Sequence, residues 1–265
     1  MFLWFVFACA PPPEAPDNLA ALCDYMYGHA WDDDPETLVV GVENLSEWLS
    51  KPGNLESTIE GYQINDLSDE SVANIDEKER KIEDTIVGAA VAYAHENSIS
   101  NVIQANFVED WSQVYEGTYE DYERVFTESP SCLIEQGCME IEYDSASTSK
   151  WAGIITVSTE NHGQLRWFET DSLGNVLIMR NWLKNPVEVQ PESLGIQVFA
   201  QYMVAIYYED PNSDRMIRTS ATWIDSDYGV AAEILDEDWA KNQVVKNMQR
   251  ENETIQSYIE ENLSD

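Results

Sequence analysis

Residues 151–183 read WAGIITVSTENHGQLRWFETDSLGNVLIMRNWL, and residues 197–224 read QVFAQYMVAIYYEDPNSDRMIRTSATWI. Both stretches are rich in β-branched and aromatic residues, which suit a pleated, half-buried surface. Three clusters of turn-forming residues punctuate them. Asn161-His162-Gly163 separates Gly153–Thr159 from Gln164–Glu169. Asp171-Ser172-Leu173-Gly174-Asn175 precedes Val176–Leu183. Asp210-Pro211-Asn212-Ser213-Asp214 separates Gln197–Glu209 from Arg215–Ile224. Connections this short join antiparallel neighbours, so Trp151–Trp223 is expected to be a train of β-hairpins. Along Val176–Leu183 the even positions Val176, Ile178, Arg180 and Trp182 share one face, and Leu177, Met179, Asn181 and Leu183 share the other. Both faces carry apolar groups, so both are expected to be partly covered.

A long helix is expected over Leu235–Leu263. Asp236 can cap it, and Glu237 and Asp238 lie in its first turn, where the helix dipole favours negative charge. Trp239, Val244, Val245, Met248, Ile255, Ile259 and Leu263 recur at roughly helical spacing. An isolated helix is marginal, so this one needs an apolar surface, and the preceding sheet is the nearest.

Upstream the pattern is mostly helical. Leu19, Leu22, Cys23 and Met26 form one stripe. Asp34-Pro35-Glu36 starts a second helix with Leu38, Val42, Leu45 and Leu49 on its face, and Lys51-Pro52-Gly53 ends it. Ser68-Asp69-Glu70-Ser71 can cap a short helix. A longer one is expected at Glu79–His95, with Ile82, Ile86, Ala90 and Ala94 on its stripe. Asn101–Trp111 fits either strand or helix, and Gln113–Glu116 fits a strand. Tyr119–Thr127 reads as a short helix with Tyr122, Val125 and Phe126 inward. Leu133–Tyr143 opens the strand-rich half.

The chain has 265 residues, 43% of them hydrophobic, enough for a substantial core. Its net charge is -36, from 14 Lys and Arg against 50 Asp and Glu. That opposes nucleic acid or an anionic membrane as a partner bound through charge. The acidity fits a solvated surface on an exported protein. Asp32-Asp33-Asp34 and Asp225-Ser226-Asp227 do not continue into the Gly and Glu spacing of a calcium loop, so no metal is expected.

The N-terminus, Met1-Phe2-Leu3-Trp4-Phe5-Val6-Phe7-Ala8-Cys9, is apolar and gives way to Ala10-Pro11-Pro12-Pro13-Glu14-Ala15-Pro16. The run is far short of the roughly 20 residues that span a bilayer. It fits the hydrophobic part of a secretory signal. Val6-Phe7-Ala8-Cys9 resembles a bacterial lipobox, whose cysteine is lipidated after cleavage in front of it. Residues 1–17 are thus expected to be a lipoprotein signal and Pro-rich tether, with Cys9 as the lipid attachment point. In an oxidising periplasm Cys132 and Cys138, six residues apart across a Gly-containing loop, are expected to form a disulfide. Cys23 lies on a helical stripe and reads as a buried thiol.

Cys23-Asp24-Tyr25, Asp33-Asp34-Pro35, Glu43-Asn44-Leu45, the run Tyr119-Glu120-Asp121-Tyr122-Glu123-Arg124-Val125-Phe126-Thr127 and the Cys132/Cys138 pair together resemble predicted lipoproteins of unknown function from myxobacteria-type bacteria. The resemblance implies no activity. The element order of the second half resembles the START-like helix-grip fold, an analogy that does not fix function.

None of His29, His95 and His162 sits in a metal-ligand spacing, and each is expected to be solvated or to cap a helix. No nucleophile elbow, phosphate-binding loop or dinucleotide fingerprint is present. No catalytic residues and no cofactor are indicated. What stands out is the placing of the scarce cations. Arg166, Arg180 and Arg218 lie in expected strands beside Trp167, Trp182 and Trp223. Strand arginines next to aromatics can line a pocket for an anion. They can equally form cross-strand pairs with acids on a solvated face.

The expected architecture is α+β: a helical N-terminal region at 18–98, then an antiparallel sheet with a long C-terminal helix packed on it at 99–265, START-like. The expected role is a non-catalytic binding module, lipid-anchored in the cell envelope facing the outer membrane or periplasm, for a small apolar or amphiphilic ligand. Arg180, Trp182, Arg166 and Arg218 are its candidate ligand-binding residues. The alternative is a structural or protein-interaction lipoprotein with a filled core.

Overall fold

The computed structural model describes residues 14–73, 75, 87–108, 110–115, 117–151, 155–229 and 237–263. Cys9, the Asp236 cap and the stretch 79–86 lie outside them. The N-terminal part holds α1 (Leu19–His29), α2 (Glu36–Ser50), α3 (Asn54–Thr58), β1 (Tyr62–Gln63) and α4 (Asp69–Val72). Local chemistry fixes these helix starts. Asn18 Oδ1 accepts from the Ala21 amide, Asp34 Oδ1 from Glu36, and the Ser68 hydroxyl from Ser71.

Then come β2 (Val87–His95), α5 (Ile99–Asn106), β3 (Tyr119–Phe126), α6 (Pro130–Ile134), β4 (Glu140–Trp151), β5 (Ile155–Thr170), β6 (Gly174–Leu183), β7 (Val187–Gln190), β8 (Gln197–Glu209), β9 (Met216–Asp227) and α7 (Glu237–Asn262). The described strands form one antiparallel sheet in the order β1-β2-β9-β8-β6-β5-β4-β3. The early strand β2 returns to pair with the last strand, β9. Where β6 ends, β7 fills the gap, pairing with Val157 of β5 and Val198 of β8. The fold is α+β, with an antiparallel sheet and a long C-terminal helix packed on it.

The sheet is the middle of three layers. Phe168, Ile178, Tyr202, Val204, Ile206 and Trp223 face α1 and α2, meeting Leu22, Met26, Leu38 and Leu45. Leu165, Trp167, Leu177, Met179, Ala205 and Tyr207 face the other way, toward α5, α6 and Ile255 and Ile259 of α7. The helices before the sheet thus cover β2, β9, β8, β6 and part of β5 on that face.

Five expectations change. Residues 87–95 form a strand, not the end of a helix. Their alanines favour helix in isolation, but every residue from Val87 to His95 pairs with β9, and the ladder overrides propensity. Small side chains also let both helix layers approach: Ala90 and Ala92 belong to one core, while Ala89 and Val91 meet Val244, Val245 and Met248 of α7. Because β2 precedes residue 98, the structure does not divide there.

Tyr119–Phe126 is likewise a strand. Tyr122, Arg124 and Phe126 point inward at period two, and Val125, expected inside, is 59% exposed. Gln113 ends a 3₁₀ turn rather than a strand.

Asn161-His162-Gly163 is no turn but the middle of β5, since β4 ends at Trp151 and β5 starts at Ile155. Gly163 sits opposite Tyr143, and a Cβ there would lie 2.2 Å from the ring's Cζ. The glycine makes room for a buried ring. The other two turns fall where the sequence places them, between β5 and β6 and between β8 and β9.

α7 is also clasped to the layer on the far side of the sheet. Gln249 Nε2 donates to the Ile59 carbonyl, 2.8 Å. Gly61, at φ +92°, lies so close that a Cβ would sit 2.3 Å from Val245 Cγ2.

Candidate functional site

α7 does not press evenly on the sheet. Its C-terminal half packs closely through the buried Ile255 and Ile259. Under its N-terminal half, residues 243–251, a cavity of about 310 Å³ remains. Three kinds of wall meet there. Alternate residues of neighbouring strands supply hydroxyls and amides: Ser145, Ser147 and Ser149 of β4, Thr159 and Asn161 of β5, Asn181 of β6. Val157, Val187, Val189 and Val198, with Leu183 and Ile196, form an apolar end. The third wall is aromatic, from Trp111, Tyr115, Tyr119, Tyr122 and Tyr143, whose neighbouring rings lie 5.0 to 6.2 Å apart where they pair.

Arg124 lies among those rings. Its guanidinium carbon is 4.4 Å from the Trp111 ring centre and 4.7 Å from that of Tyr143. Nε donates to Tyr122 Oη at 2.7 Å and Nη1 to the Asn106 carbonyl at 2.6 Å. Burial pushes the Tyr119 phenol up to about 12, and Tyr115 and Tyr122 well up too. These phenols stay protonated at neutral pH, so they offer hydrogen bonds rather than bases.

Reading Tyr119–Thr127 with a helical period hides this wall. The alternation of Tyr122, Arg124 and Phe126 with acidic or exposed neighbours is the signal that could have found it.

The four residues expected to line one pocket are separated by the pleat. Arg180 and Trp182 occupy even positions of β6 and face α1, away from the cavity under α7. Arg180 is 6% exposed; Nε donates to Gln164 Oε1 at 2.8 Å and Nη1 to the Tyr27 carbonyl at 3.2 Å. It shares a surface hollow with Trp182, His162 and Trp31. Burial lowers its pKa. Arg166 is on the same face and donates to the Asp32 carbonyl. Arg218 alone of the four faces α7. It is 2% exposed, and its Nη2 meets Glu251 Oε1 at 2.5 Å. Burial works against its charge, but Tyr207, Glu251 and Tyr115 outweigh that and raise its pKa. It is a fastener for α7, and Arg180 is no anchor for the cavity.

Of the histidines, expected to be solvated or to cap a helix, His29 keeps that place and the other two depart from it. His162 lies on β5 against Trp182, with Nδ1 2.9 Å from Asp144 Oδ1. His29 stays near the end of α1, paired with Asp32 at 2.7 Å. His95 is 6% exposed, between the sheet and α7, where it contacts Gln256. Burial and then the Arg218 charge pull it down to about 4.

The folded chain therefore holds His95 neutral, while the unfolded chain takes up a proton below about pH 6.5. This stability is present in full above that value and is lost as pH falls toward 4. From about pH 7 to about pH 5 the loss comes to about 2 kcal/mol. His95→Gln should flatten this window, measured as the wild-type minus variant difference in urea unfolding. An unchanged difference at both pH values would exclude His95 as the source.

Cys132 and Cys138 are free thiols in the structure, not the expected disulfide. The loop brings them together all the same: Gln136 at φ 55° turns the chain, and the Gly137 and Cys138 amides both donate to the Cys132 carbonyl. Glu128 joins them, with the three ligand atoms within 4.8 Å of one another, a grouping that the spacing alone did not reveal. Burial, Cys132 and Glu128 push the Cys138 thiol up to about 11. Cys23 is fully buried, as its stripe implied.

No family model and no curated protein matches the chain. Among solved structures it is similar to TTHA0849 from Thermus thermophilus, at 11% identity and a TM-score of 0.41, over 66% of this chain and 94% of that one. It is also similar to a protein from Arthrobacter aurescens solved by solution NMR, at 10% identity and a TM-score of 0.30, over 65% and 83%. Among the described residues no helix is long and apolar enough to cross a membrane.

Proposed function

We propose that this protein is a non-catalytic binding protein that takes a small amphiphile into the cavity between the sheet and α7. A lipid on Cys9 holds it in the cell envelope. The supporting observation is the cavity itself. At about 310 Å³ it sits at the lower end of the range for ligand pockets, roughly 300–1,000 Å³. One end is walled by aliphatic side chains and the middle by hydroxyls and amides, which suits a molecule with one apolar and one polar end. The filled-core alternative describes the C-terminal half of α7, where Ile255 and Ile259 leave no such space.

The neutral fluorophore N-phenylnaphthylamine tests this reading. The purified chain should take it up with enhanced emission, and Thr159→Trp, which fills the cavity, should abolish uptake with little change in unfolding. Equal uptake by Thr159→Trp, or none by the wild type, would exclude this cavity as the site.

A further inference from the structure

We infer that the amphiphile is an acid, with its carboxylate held by Arg124. The inference rests on the cavity being a binding site. The chain carries a net charge of -36, yet the charged residues lining this cavity, among the described residues, are two arginines, Arg124 and Arg250, and one glutamate, Glu251. Glu251 is committed to Arg218. Arg124 has no carboxylate within ion-pair distance among the described residues, in a protein where acids outnumber bases 50 to 14. Its Nε and Nη1 are used on neutral acceptors, Tyr122 Oη and the Asn106 carbonyl, which fix the guanidinium plane. Nη2 makes no hydrogen bond to any described residue. Beside it, Trp111 Nε1 is buried without an acceptor among those residues. Among the described residues, this half-buried guanidinium clamped by rings and neutral acceptors is an incomplete ion pair. A carboxylate, accepting a charge-assisted hydrogen bond, completes it.

The placing of the apolar end agrees. Arg124 pairs across the sheet with Ser145 of β4, and Val157 pairs with Ser149 of the same strand. Four residues of strand separate these levels by roughly 13 Å. A head at Arg124 therefore leaves an unbranched tail running past Ser147 and Thr159 to Val157, Val187 and Val189.

Octanoate and octanol, which differ only in the head, are the probes, each used to displace N-phenylnaphthylamine from the purified chain. Octanoate should displace it at concentrations about tenfold to a hundredfold lower than octanol, the worth of one charged hydrogen bond. Arg124→Gln should erase that preference while octanol still competes, and Arg124→Lys should keep most of it. Equal competition by the two probes in the wild type would overturn the inference, as would a preference that survives Arg124→Gln. Should Arg124→Gln not fold, the wild-type comparison and Arg124→Lys decide. A wild type that never takes up the fluorophore instead removes the binding reading beneath it.

Discussion

Glu251→Ala should destabilise the protein by about 3–5 kcal/mol, because it strands the Arg218 guanidinium between the sheet and α7. Arg218 is 2% exposed, and among the described residues Glu251 is the one carboxylate within ion-pair distance of it. Unlike the exposed ion pairs of this chain, such as Lys51 with Glu47, it has no solvent to fall back on. The double variant Arg218→Met, Glu251→Met should recover most of the loss, since an apolar pair of similar size removes the buried charge with its partner. Urea unfolding of Arg218→Met, Glu251→Met and the double variant completes the cycle. A Glu251→Ala variant within about 1 kcal/mol of wild type would mean that the pair does not fasten the helix.

Trp223→Ala is expected to cost about 3–5 kcal/mol, the range for a fully buried aromatic. Trp223 is 0% exposed on β9, edge-on to Tyr27 of α1, and its Nε1 donates to the Asn65 carbonyl at 2.8 Å. Its ring thus joins the sheet to the helical layer in front of it. Because the two share one core, unfolding of the variant followed by tryptophan emission and by far-ultraviolet dichroism should stay coincident. Separate transitions would show that α1–α4 fold as a unit apart from the sheet.

What is legible in the sequence follows from strong local signals. The 3.6-residue stripe of α7, the Asp-Pro and Gly-Asn turns after Glu209 and Thr170, and the apolar groups on both faces of β6 all correspond to observed features. The departures share one cause: tertiary pairing overrides local preference. β2 is alanine-rich, and only its ladder with β9 makes it a strand. In β3, Tyr122, Val125 and Phe126 also fit a helical i, i+3, i+4 spacing, which competes with the period-two alternation that the strand follows. Gly163 is set by the ring of Tyr143, distant in sequence and directly across in space. The arginines do lie on strands, but which layer each face meets depends on strand order. Sequence reading therefore favours Arg180 for the cavity and passes over Arg124, which lines it.

The clasp between Ile59, Gly61 and α7 has a mechanical consequence. It pins the helix along its β2 flank, at Val245 and Gln249, beside the residues that line the cavity. With Glu251 held by Arg218 and its carbonyl accepting from Tyr115 Oη, α7 is secured at two stations along its length, a strut bolted twice rather than a flap.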